Sequence, residues 1–160
     1  MLVRVTDAAG ALAAEAAGAE GVATNRVLHD LRAATLLPIL VTGGTPQEAG
    51  ASGADAWLLV AEIDEDDLEQ RDSLARELGL ECVVDVHDEE VLESVLARID
   101  PEIVLLSPRT ADHEEEAVDR ILELLPDVPA GKLVAAELRS PTEEELIALE
   151  RAGVDAVLID

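Results

Sequence analysis

Five ionisable residues stand at or just beyond the ends of apolar runs: Glu62, Asp85, His87, Glu137 and Asp160. Carboxylates gathered at one place can bind a hard cation. They can also work as an acid/base pair, once burial or neighbouring charge drives their pKa values apart. A third use is structural, with Arg4 and Arg109 neutralising the acids through bidentate pairing. Asp85 and His87 lie two residues apart in an extended run, which predicts that both face the same way.

Other motifs offer less chemistry. Gly43-Gly44-Thr45 follows an apolar run and reads as a turn, or as a phosphate loop lacking the rest of a nucleotide fingerprint. His29 reads as a helix-surface residue, and His113, ahead of Glu114-Glu115-Glu116, as a solvated helix start. Trp57 reads as core, its indole N–H turned to the rim of the fold or to a partner. Cys82 is alone, so no intrachain disulfide forms, and its apolar surroundings make it a small core residue. No Ser/His/Asp or Cys/His triad and no zinc spacing occurs, so no metal and no cofactor is expected.

The elements that must position these residues alternate along the chain. Near-continuous aliphatic runs predict strands at Leu2–Val5, Gly21–Thr24, Pro38–Thr42, Ala56–Ala61, Glu81–His87, Ile103–Ser107, Leu133–Glu137 and Ala156–Ile159. Such runs suit parallel strands buried on both faces. Helix signals lie between them. Asp64-Glu65-Asp66-Asp67 places acids at a helix start, with Leu68, Leu74 and Leu78 following and Gly79 as the stop. Asp88 and Glu89 precede Val91, Leu92, Val95 and Leu96. Ala117, Ile121 and Leu124 share one face, and Ser140-Pro141-Thr142-Glu143 opens a helix that Gly153 ends. Segment 45–52 predicts one or two turns.

A phrase recurs: Gly18-Ala19-Glu20-Gly21-Val22, Gly53-Ala54-Asp55-Ala56-Trp57 and Gly153-Val154-Asp155-Ala156-Val157. It encodes a helix stop, an acidic turn and a strand start. Repeated βα units imply a parallel sheet with right-handed crossovers. The predicted fold is α/β: a single-domain, minimal (β/α)8 TIM barrel of eight parallel strands over residues 1–160. Typical barrels run to about 250 residues, so the loops here must be short. An open doubly wound sheet is the rival. The chain stops at the eighth strand without a final helix. The outer face of strands eight and one is therefore expected to be hidden in a homo-oligomer.

Composition narrows the partners. Asp+Glu number 36 against Lys+Arg 11, for a net charge of −25. Lys132 is the single lysine. This field repels phosphate backbones and anionic membranes, so neither nucleic acid nor membrane is an expected partner. Molar salt would screen the self-repulsion, which points to a salt-loving archaeal source. Without a signal peptide or a long apolar segment, the expected location is cytoplasmic. The core must be aliphatic, because aromatics are only 1% of residues.

From Leu37 onward the chain resembles indole-3-glycerol-phosphate synthase. Leu37-Pro38-Ile39-Leu40 is similar to the family's strand-three phrase, and Gly53-Ala54-Asp55-Ala56-Trp57-Leu58-Leu59-Val60 to its strand four. The nearest stretch runs from Leu78 through Val83-Val84-Asp85-Val86-His87 to Glu90. Val134-Ala135-Ala136-Glu137 resembles strand seven, and Arg151-Ala152-Gly153-Val154-Asp155-Ala156-Val157-Leu158-Ile159 the approach to strand eight. The resemblance implies a TIM barrel and a role in tryptophan biosynthesis.

It also implies where catalytic groups would fall. The family's lysine after strand four corresponds to Glu62, and a second lysine after strand three to Thr42. A glutamate ending strand five corresponds to the shorter Asp85, and an asparagine ending strand six to Ser107, with Arg109 kept. The strand-seven glutamate is retained as Glu137, but the serine after it is Leu138. Arg139 and Asp160 occupy the phosphate-binding glycine positions, and the family's N-terminal extension is expected to be absent. By this resemblance the catalytic candidates are Glu137, Asp85 and Glu62, and the ligand-binding candidates Arg109, Ser107, His87 and Asp160. The leading expectation is a barrel without the family's activity that binds a small molecule or a partner. The alternatives are an active carboxy-lyase of the family and a structural oligomer-forming module.

Overall fold

The computed structural model describes residues 1–63, 66–108 and 114–160. Its strands are β1 (Leu2–Arg4), β2 (Gly21–Thr24), β3 (Ile39–Val41), β4 (Ala56–Val60), β5 (Glu81–Val86), β6 (Ile103–Leu106), β7 (Leu133–Glu137) and β8 (Ala156–Ile159). They pair in parallel in chain order and close, β1 onto β8, into a barrel. The helices between them are α1 (Ala8–Ala16), α2 (Leu31–Ala34), α3 (Pro46–Ala51), α4 (Leu68–Glu77), α5 (Glu89–Arg98), α6 (Glu114–Leu124) and α7 (Glu143–Ala152). Among the described residues no helix is long and apolar enough to cross a membrane. The fold is therefore the expected TIM barrel, reached with α2 and α3 cut to four and six residues.

Strand alternation divides the core in two. Ala23, Leu40, Leu58, Val83, Leu105 and Leu158 fill the barrel interior. The intervening positions, including Val22, Val41, Trp57, Leu59, Val84 and Val104, face the helices. An aliphatic interior suits this geometry, because branched side chains fill an eight-stranded barrel in layers. Trp57 lies in the outer layer, as expected of a core residue. Its indole N–H donates to the Gly44 carbonyl at 3.4 Å, and the Arg71 guanidinium lies 5.4 Å from its ring centre. Burial of Cys82, with Asp72 beside it, pushes its thiol up to about 12, so the thiolate is suppressed at neutral pH.

The recurring phrase has a common geometry. At the ends of α1, α3, α4 and α7, Gly18, Gly53, Gly79 and Gly153 all adopt positive φ. The residue after each glycine returns its N–H to a carbonyl of the last turn, as in Ala19 to Ala14 and Val154 to Leu149. These are Schellman closures, which satisfy the orphan carbonyls of the helix end and turn the chain into the next strand. The acid that follows has a second task. Asp55 Oδ2 accepts from the Ile39 N–H and Asp155 Oδ2 from the Val134 N–H, both at 2.8 Å. Asp55 clamps the first N–H of β3 and Asp155 the second N–H of β7, both at the floor of the barrel. Lys132 is at that floor too, bonded to Asp100.

Candidate functional site

The inward-facing register carries Leu2 to Arg4 in β1, Val83 to Asp85 in β5 and Ala135 to Glu137 in β7. Thr42, Ser107 and Asp160 stand one residue past the ends of β3, β6 and β8. They surround the C-terminal mouth, where barrel enzymes place their reacting groups.

Arg4 is the centre of this mouth. Its Nε donates to Asp160 Oδ1 at 2.9 Å, its Nη1 to Thr42 Oγ1 at 3.2 Å, and its Nη2 to Glu137 Oε1. The Thr42 hydroxyl in turn donates to the Thr24 carbonyl at 3.3 Å, which leaves its lone pairs toward Arg4. Asp85 is buried at 3% exposure and accepts from the Ser107 hydroxyl, itself buried. Arg4 thus pairs with two of the acids, Glu137 and Asp160, while Asp85 is held by Ser107. Among the described residues, no group of three or more His, Cys, Asp or Glu side chains is placed to hold a metal ion.

Burial raises the Glu137 carboxyl above the ordinary carboxylate range; the Arg4 charge opposes this, and Asp85 and Asp160 add to it. Over the window between the ordinary and raised values the folded state holds more proton than the unfolded one. This contribution to stability is therefore complete at lower pH and lost as pH rises through the raised value. Glu137→Gln is expected to flatten the pH dependence of the urea midpoint in that window. An unchanged slope would mean that Glu137 titrates as an ordinary carboxylate.

The remaining candidates lie elsewhere. Glu62 is exposed, two residues beyond β4. His87 departs from the expectation that it faces the same way as Asp85. The strand ends at Val86 and Asp88 caps α5, so the two-residue alternation stops before His87. The imidazole instead lines a cleft of about 410 Å³ with Arg120, Glu123, Leu124 and Asp127 of the outer layer. There Nε2 lies 3.5 Å from Asp88, and buried Nδ1 makes no hydrogen bond. Arg109 and His113, and Asp64 and Glu65 of the acidic run, lie outside the described residues. The Gly43-Gly44 turn is explained by packing: a Cβ on Gly43 would come within 2.4 Å of the Asn25 carbonyl oxygen. Gly44 adopts φ +71°, and Thr45 with Glu48 forms a capping box on α3.

Sequence reasoning assigned Arg4 only a share in general neutralisation and gave Thr42 no part in the mouth beyond a lost lysine. Their signal was faint: Arg4 lies two residues after Leu2, on the inward phase of β1.

The model of the family described as indole-3-glycerol phosphate synthase matches residues 46–160. The chain belongs to the indole-3-glycerol phosphate synthase family. An indole-3-glycerol phosphate synthase of Alkaliphilus metalliredigens is 32% identical over 141 residues, which cover 84% of this chain and 54% of that protein. One of Shouchella clausii is 35% identical over 114 residues, covering 71% and 45%. The chain thus spans about half the length of these family relatives. Solved barrels beyond the family share the fold. The N-acetylmannosamine-6-phosphate 2-epimerase of Clostridium perfringens superposes with a TM-score of 0.79 at 17% identity, over 99% of this chain and 84% of that one. A phosphonomutase of Burkholderia cenocepacia, described as putative, gives 0.68 at 19% identity, with the same coverage of each chain.

Proposed function

We propose that this member of the family does not close the indole ring, and that its mouth binds a small ligand or a partner. The observation that carries this reading is the engagement of Glu137 and Thr42 by Arg4. By the resemblance, one of these positions holds the family's strand-seven glutamate and the other a lysine. Ring closure with loss of carbon dioxide needs a proton donor beside the reacting carbonyl, which lysine supplies in the family. The chain's single lysine is committed to Asp100 at the opposite end of the barrel. A net charge of −25 also opposes capture of a phosphorylated, carboxylated substrate. The same charge supports a working environment of molar salt, and a cytoplasmic location remains part of this reading.

A second reading is an active synthase. It is favoured by the names of the relatives and by the raised pKa of Glu137, which would let a carboxyl donate a proton closer to neutrality. The test is turnover of the family's carboxyphenylamino-deoxyribulose phosphate in molar potassium chloride, followed by indole fluorescence. Absence of turnover from protein shown to be folded supports the first reading. Turnover that Glu137→Gln abolishes would establish the second.

A further inference from the structure

We propose that Arg4 is a built-in occupant of the barrel mouth: its guanidinium fills the cation position formed by Glu137, Asp160 and Thr42, and a ligand reaches those groups only after Arg4 leaves them. This autoinhibitory contact rests on the reading of the mouth as a ligand site.

The seat matches a guanidinium rather than a point charge. Each of the three nitrogens of Arg4 has its own acceptor: Nε on Asp160, Nη1 on Thr42 and Nη2 on Glu137. The acceptors come from β7 and from the residues just past β3 and β8, whereas Arg4 comes from β1, so one side chain crosses the mouth. A planar fork with fixed donor directions is what such a seat selects, and ammonium cannot reproduce it. Among the described residues, the charged groups acting on Glu137 are Arg4, Asp85 and Asp160. With Arg4 gone, three carboxylates would share the mouth without that cation. A ligand bearing an amidinium or guanidinium group is the chemistry that replaces it.

The contact is also built to open. The Val5 N–H is bonded to the Ala23 carbonyl at 2.8 Å, so the backbone beside Arg4 stays in the sheet while the side chain turns. The Asp160 side chain is 58% exposed, which leaves one wall of the seat in water. The Asp160 pair therefore contributes little, and the half-buried Arg4–Glu137 pair is the contact a ligand must replace.

The experiment is rescue by free guanidinium. Arg4→Ala, Arg4→Met and the unaltered chain would be melted in molar potassium chloride with guanidinium chloride rising to about 10 mM, far below denaturing concentrations. Potassium chloride would replace guanidinium in the controls. The expected result is a saturable rise in the melting temperature of both variants and none in the unaltered chain. Adding Glu137→Gln to either variant is expected to weaken guanidinium binding about ten-fold or more by calorimetry. Arg4→Met keeps the apolar stem, so the measurement survives if the alanine variant does not fold. No saturable response in a folded variant would overturn the proposal, as would equal binding by the unaltered chain. Ring-closure turnover would sink the non-catalytic reading but leave the guanidinium result standing, so the two failures are distinguishable.

Discussion

Raising potassium chloride from about 0.1 M to about 2 M is expected to raise the melting temperature by on the order of 10 °C. The Debye length falls from about 10 Å to less than about 3 Å over that range, so repulsion beyond nearest neighbours is removed. Two opposing effects are at work. Salt weakens the ion pairs that tie elements together, such as Arg98 to Glu69 between α5 and α4 at 2.6 Å, and Arg32 to Asp55 at 2.8 Å. It also relieves like-charge contacts among 36 acids served by only 11 lysines and arginines. Exposed pairs contribute only a few tenths of a kcal/mol each. The unpaired excess of acids is larger than the number of pairs, so relief wins. Acids crowd the helix starts, with Glu89 and Glu90 on α5 and Glu143, Glu144 and Glu145 on α7. Thermal melts by circular dichroism across the salt series decide this; a melting temperature that falls or stays flat would contradict the charge argument.

Leu105→Ala is expected to destabilise the barrel by about 3 kcal/mol, lowering the melting temperature by about 6–12 °C. Leu105 is 1% exposed and belongs to the interior cluster with Leu40, Leu58, Val83 and Leu158. It lies in register with Asp85 on one side and Ala135 on the other, two residues before Ser107 on the same strand path. The neighbours are held in a closed ring of strands and cannot collapse into the space, so the cavity persists and its full cost is felt. Leu12→Ala on α1, where the side chain is 55% exposed, is the control and should shift the urea midpoint little. A Leu105→Ala loss below about 1 kcal/mol would mean that the interior repacks as a fluid core rather than as fixed layers.

Much of the architecture was legible because it depends on local chemistry. All eight predicted strands occur in order; β2, β7 and β8 keep their predicted bounds, and the other five are shortened at their ends where the chain turns away, as at Pro38 and His87. The repeated glycine phrase read as a helix stop because positive φ is a property of the residue itself. The two short helices were read poorly: segment 45–52 as one or two turns, and His29 as a helix-surface residue although it stands in the turn ahead of α2, because four to six residues carry too little periodicity. His87 was misplaced because alternation holds only while the chain stays extended.

By itself, then, the sequence determined the succession of βα units, the aliphatic core and the acidic composition. These follow from residue type and from periods of a few residues. The partners of Arg4 were decided by the tertiary structure alone. Glu137 and Asp160 lie 133 and 156 residues away along the chain. Only closure of β1 onto β8 brings them into hydrogen-bonding reach. The same closure turned a list of rim carboxylates into a seat shaped for one guanidinium.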